Sequence, residues 1–92
     1  MEFEFSEEKN YQLFQERGVT FNNVIESINE KGILLNIEHP NKEKYPNQKI
    51  LVVDVDGYAY CVPYAIKRDK YFLKTIFPSR KFKYLIEGNR NE

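Results

Sequence analysis

Ile50-Leu51-Val52-Val53-Asp54-Val55-Asp56-Gly57-Tyr58-Ala59-Tyr60-Cys61-Val62-Pro63-Tyr64 is the stretch that decides the fold. Its first part is nearly continuous β-branched sequence, as in a central strand covered on both faces. Asp56-Gly57 predicts a two-residue type I′ turn, which needs φ > 0 at both positions. That turn sets Val55 opposite Tyr58, Val53 opposite Tyr60, Leu51 opposite Val62 and Lys49 opposite Tyr64. One face of the hairpin then carries Leu51, Val53, Val55, Tyr58, Tyr60, Val62 and Tyr64. The other carries Ile50, Val52, Ala59, Cys61 and Pro63. The smaller side chains of this second face predict that helices lie against it. The tyrosine face is then expected to line an open groove, rings below and hydroxyls at the rim.

Upstream, Phe3 and Phe5 alternate with Glu2 and Glu4, as in a short half-exposed strand. Ser6 can cap a first helix, with Glu7 and Glu8 at its positive pole, Arg17 in its last turn and Gly18 ending it. Tyr11 and Phe14, with Leu13, are expected to form its buried stripe. Thr20 opens a second helix over 21–30, whose Phe21, Val24, Ile25 and Ile28 recur at helical spacing before Gly32 closes it. Ile33 to Ile37 reads as a strand, and 39–47 as a polar loop bounded by prolines. After the turn at Lys67-Arg68-Asp69-Lys70 another apolar strand runs to Pro78. The face that Lys74 joins is open at this stage. Residues 81–87 predict a short last helix packed through Phe82, Leu85 and Ile86, with fraying from Asn89 onward. The expected architecture is α+β and two-layered, with a mainly antiparallel sheet. Two N-terminal helices cover one face and a short helix ends the chain, in the order β-α-α-β-β-β-β-α.

A chain of 92 residues bounds a single domain, 1–92. Hydrophobic content of 41% with 15% aromatic separates it from disordered sequences. No apolar run approaches the roughly 20 residues needed to cross a bilayer, and no membrane association is expected. Met1-Glu2-Phe3-Glu4 is acidic where a secretory signal is basic and then apolar. The single cysteine, Cys61, excludes an internal disulfide and fits a reducing cytoplasm. One Cys and one His with scattered acids predict no structural metal, and no cofactor is expected.

Net charge is zero, but it is unevenly spread. Residues 1–66 hold six Lys/Arg and eleven Asp/Glu, whereas residues 67–92 hold eight and three. The C-terminal part is therefore basic, which points to an anionic partner on one side, or to a solvated tail that resists edge pairing. Between Tyr71 and Lys83 the cations Lys74, Arg80, Lys81 and Lys83 surround one strand end with no acid among them.

The common catalytic motifs (CxxC, HExxH, GxSxG and the P-loop) are absent. The register buries Cys61 on the helix-facing side, and His39 precedes a proline in a loop, so neither reads as catalytic. RNA, however, is cut when its own 2′-hydroxyl attacks the adjacent phosphorus. A protein then needs to align the strand, neutralise phosphoryl charge and help protons move. Arg80 is the candidate to hold the phosphate in a bidentate fork. Lys74 is the candidate to stabilise the same charge or accept a proton. Lys81, Lys83 and Lys49 are candidate backbone contacts, and Tyr64 and Tyr60 candidate stacking platforms. The alternative is an ordinary amphipathic sheet face with a charged edge.

Phe3-Glu4-Phe5-Ser6-Glu7-Glu8-Lys9-Asn10, followed by Arg17-Gly18-Val19-Thr20-Phe21, resembles the opening signature of BrnT-type toxins. Pro78-Ser79-Arg80-Lys81 resembles that family's last-strand ending, Ser-Ala-Arg-Lys-Ala. The Lys44-Tyr45-Pro46-Asn47-Gln48-Lys49 loop and Asp56-Gly57-Tyr58 also look like one branch of these toxins. The resemblance implies a RelE-like ribonuclease fold and a type II toxin neutralised by a cognate antitoxin. It also implies growth arrest by cleavage of RNA, free or ribosome-associated. The family's arginine after the final strand would be Arg80, and its helix-one lysine would be Lys9. The histidine usual before the Gly-Val turn is Arg17 here, the opening serine of the last motif is Pro78, and its closing alanine is Phe82. A rival expectation is a non-catalytic binding module, or a degenerate toxin of the same fold, that engages an acidic protein or a regulatory RNA. The oligomeric state of the free chain is open.

Overall fold

The Asp56-Gly57 turn forms, with φ of 52° and 86° at its two positions. The Asp54 carboxylate accepts the Gly57 N–H at 2.8 Å, which satisfies the tight turn from within. It joins β3 (Lys49–Val55) to β4 (Tyr58–Lys67) in the register expected, from Lys49 opposite Tyr64 to Val55 opposite Tyr58. The computed structural model describes residues 2–90, with side chains through Glu87.

Around this hairpin the chain forms β1 (Phe3–Glu4), α1 (Glu7–Arg17), α2 (Phe21–Lys31), β2 (Leu35–Glu38), β5 (Lys70–Leu73), β6 (Phe77–Pro78) and α3 (Lys83–Arg90). The sheet order is β1-β5-β4-β3-β2, with β6 also paired to β4. Every pairing is antiparallel except β1 with β5. The fold is thus α+β with a mainly antiparallel sheet. Asn89 and Arg90 are helical, and residues 91–92 of the segment expected to fray lie outside the described residues.

The helices reverse the expected faces. Phe21 and Val24 of α2 and Leu13 of α1 are buried with Leu51, Val53, Val55, Val62, Tyr64 and Leu73, so the N-terminal helices cover the tyrosine face. The opposite face, with Ile50, Val52, Ala59 and Cys61, is covered instead by Phe82 and Ile86. Helices on both sides add a layer to the expected two. The physical reason is volume: two helices leave a wide gap above a sheet, and large side chains fill it to native density. Tyr64 does this by lying against Tyr71, ring centroids 4.7 Å apart, while its hydroxyl donates to Asn36 Oδ1 at 2.7 Å. The small face suits one short helix.

The stripe of α1 also differs. Leu13 is buried, whereas Tyr11 and Phe14 are 67% and 55% exposed. Asn10 receives the N–H of Phe21 at 2.7 Å and donates to Asn22 at 2.9 Å, and Arg17 donates to the Ile76 carbonyl. Positions 10, 13 and 17 lie on one side of a helix, so these polar anchors turn Leu13 inward and the two rings outward.

Between β5 and β6 the edge carries a β-bulge. Tyr64 pairs with Leu73, and the Lys74 N–H donates to the Pro63 carbonyl at 2.8 Å, yet Cys61 pairs with Phe77. Thr75 and Ile76 together therefore oppose Val62. The extra residue switches the alternation, so Phe77 packs on the Cys61 face while Ile76 is buried on the other.

Candidate functional site

Arg80 comes two residues after β6. The Ser79 N–H donates to the Ala59 carbonyl at 2.9 Å, and the Lys83 N–H donates to the Arg80 carbonyl at 3.2 Å. Arg80 is thereby held between the turn end of the β3–β4 hairpin and the start of α3. Here lies a shallow cleft of about 680 Å³, lined by Asp56, Tyr58, Ala59, Ser79, Arg80 and Lys83 among others. The Arg80 side chain is exposed and makes no ion pair with a carboxylate among the described residues. Lys83 pairs with Glu87 at 3.5 Å, both well exposed, an arrangement that restrains little. Lys83 is also the first residue of α3, whose first turn holds no acid, so the positive pole of the helix adds to the cleft's potential.

The other expected site residues lie elsewhere. Tyr64 is 1% exposed, and Tyr60 packs against the main core, so the tyrosine platform is covered by the helices that were expected on the opposite face. The exposed ring beside Arg80 is Tyr58, 68% exposed. The hairpin turn was the signal for it: the first residue after a turn stands at the end of the sheet. Lys49 opens β3 at the far end from Val55, roughly 20 Å away at the usual rise per residue, and pairs with Glu38 at 3.8 Å. Lys81 is exposed, with its ammonium 5.5 Å from the Phe82 ring centre.

Lys74 lies on the Cys61 face, because Leu73 opposite Tyr64 takes the other. Its ammonium sits 4.8 Å from the centre of the Phe72 ring, and Lys67 sits 4.7 Å from the same ring. Partial burial, then the charge of Lys67, hold the Lys74 pKa below its usual value. Lys74 is anchored opposite Pro63 and Arg80 follows the bond to Ala59, about 13 Å further along β4. The Lys74 ammonium is drawn over Phe72, opposite Ala65 and further still from Ala59, and Lys74 does not line the cleft that holds Arg80.

Cys61 is buried under α3, and burial pushes its thiol pKa up, against a hydrogen bond with Ser79 and the charge of Lys81. It is a core thiol. His39 packs against Tyr45 with the rings tilted and their centroids 4.5 Å apart, and its Nδ1 accepts the Asn41 N–H, which makes it a loop organiser. Among the described residues no three His, Cys, Asp or Glu side chains gather as metal ligands do, and no helix is long and apolar enough to cross a membrane.

In chemical terms, the cleft offers a bidentate guanidinium, a helix pole and an ammonium to an oxyanion, with an exposed phenol ring beside them. Compared with known protein families, curated proteins and solved structures, the chain matches none.

Proposed function

We propose that the chain is a BrnT-type toxin with a RelE-like fold, a cytoplasmic endoribonuclease of a type II toxin–antitoxin pair. The observation that carries this reading is Arg80: exposed, making no ion pair with a carboxylate among the described residues, and set in a cleft with Tyr58, Lys83 and the start of α3. In this proposal Arg80 binds the scissile phosphate and stabilises the charge that builds on it as the RNA's own 2′-hydroxyl attacks. Because the nucleophile comes from the substrate, the step needs no metal. Tyr58 takes the stacking role expected of Tyr60 and Tyr64, and Lys83 holds the neighbouring backbone. Lys74 is left out of the reacting centre. A cognate antitoxin would neutralise the toxin by covering the basic end.

Induced expression in a bacterium tests the proposal. Growth arrest is expected, and Arg80→Ala should relieve it while lowering RNA cleavage by about a hundredfold or more, as loss of a charge-stabilising donor does. Lys74→Ala should remain toxic. Persistent toxicity of a folded Arg80→Ala variant would remove the site.

A second reading, a non-catalytic module or degenerate toxin of the same fold that engages an acidic protein or regulatory RNA, is favoured by Asp56 in the same cleft, since mixed charge suits a protein surface. It requires that expression leave growth unchanged while the purified chain still captures a product of a neighbouring reading frame.

A further inference from the structure

The Phe72 ring carries an ammonium group from each of two lysines, Lys67 at 4.7 Å and Lys74 at 4.8 Å from its centre. Neither lysine makes an ion pair with a carboxylate among the described residues. The neighbouring Lys70, opposite Lys67 in the ladder, is by contrast paired with Glu4 at 3.2 Å. Lys74 is half-buried, so the repulsion between the two ammonium groups is only partly screened by water. The ring offers each a negative face but no countercharge. Lys67 is exposed and borders a second shallow cleft with Lys49 and Ile66, and Lys74 is only half-buried, so solvent reaches the site from the Lys67 side.

We propose that Lys67 and Lys74, held across Phe72, form a binding site for a dianionic phosphate, separate from the Arg80 cleft. Two ammonium groups present up to six N–H donors, and a terminal phosphate brings three oxygens and a charge near −2 to meet them. A carboxylate or an internal phosphodiester neutralises only one of the two cations. The phosphate is either free or the end of an oligonucleotide. The site does not rest on cleavage at Arg80: Lys67 and Lys74 both sit over Phe72, and neither lines the Arg80 cleft.

The test is a titration of the full chain with inorganic phosphate at constant ionic strength, followed by NMR of the lysine ε-carbons. Lys67 and Lys74 should shift together and saturate. Lys67→Gln and Lys74→Gln should each weaken apparent affinity by about tenfold, the effect of one charged hydrogen bond, and Lys42→Gln should not. Shifts that never saturate, or that chloride reproduces, would overturn the site. So would a Lys67→Gln variant that binds phosphate as tightly as the parent chain. The source is then read by competition. Displacement of phosphate by a 5′-phosphorylated RNA pentamer, but not by its unphosphorylated twin, assigns the site to an RNA end. Displacement by neither assigns it to free phosphate. Equal displacement by both refutes the requirement for a dianion.

Discussion

Leu13 is the one apolar side chain that α1 buries fully, and two aromatic neighbours on the same helix face water. Leu13→Ala should therefore lower stability by about 2–4 kcal/mol, the range for emptying a packed core site. Phe14→Ala should change it by no more than about 0.5 kcal/mol. Urea denaturation of the two variants checks this, and the reverse order would mean that the helix is turned the other way. The inward side was poorly legible in the sequence because Asn10 and Arg17, both polar residue types, are the groups that set it. Tyr64 was hard to place for a related reason: a phenol reads as amphipathic, but one partner, Asn36, lets the whole residue be buried. Burial also raises the Tyr64 pKa, against the Asn36 hydrogen bond. Cys61 gives a dependence on pH. Its folded pKa lies above the ordinary value of 9.0, so the fold favours the neutral thiol. That contribution is complete below the unfolded pKa. It is lost as pH rises past 9.0 toward the folded value, because the unfolded chain releases its proton first. Denaturation midpoints should fall across this range, and Cys61→Ala should flatten the decline. Tyr64 has the same sign and adds to the fall above 10.0.

At the scale of elements, the β-bulge at Thr75 and Ile76 sets the face on which the chain continues. An unbroken strand would set Phe77 on the Tyr64 face; the inserted residue moves it to the Cys61 face, where it packs against the cluster that holds Cys61, Phe82 and Ile86. Arg17 binds the Ile76 carbonyl within the bulge, and so ties the end of α1 to the segment that leads to Arg80. Arg17→Met should cost about 1–3 kcal/mol, because it leaves a partly buried carbonyl without its charged donor. It should also speed amide exchange selectively over Thr75–Arg80. Uniform acceleration across the chain would mean that Arg17 acts on the whole fold and not on the bulge. The β3–β4 hairpin was legible in full, since a two-residue turn with positive φ leaves one register. The bulge was not. No residue type marks it, and it arises from closing the sheet under Ile76 and α1, which no local window of sequence contains.

For the whole molecule, the sheet's two faces are unequally protected. The tyrosine face is sealed by two helices, whereas the Ile50, Val52, Ala59 and Cys61 face depends on Phe82 and Ile86, delivered by one short helix and the turn before it. That asymmetry accompanies a basic C-terminal segment that serves two purposes at once, since Arg80 and Lys83 line the cleft while Phe82 and Ile86 close the core. The mix of charges and apolar side chains along residues 80–86 was visible in the sequence; the face they close was not, because it depends on the bulge. A chain ending at Arg80 should keep the larger core, with near-ultraviolet signals from the stacked Tyr64 and Tyr71 retained. It should also expose the smaller core, bind a hydrophobic dye and elute as a larger species in size exclusion, as uncovered apolar sheet faces do. Ile86→Asp should do the same with the chain at full length, which separates loss of cover from loss of residues. If both variants elute as the parent chain does and bind no dye, the second face is protected by something other than α3, and the arrangement that holds Arg80 at the cleft would need to be redrawn.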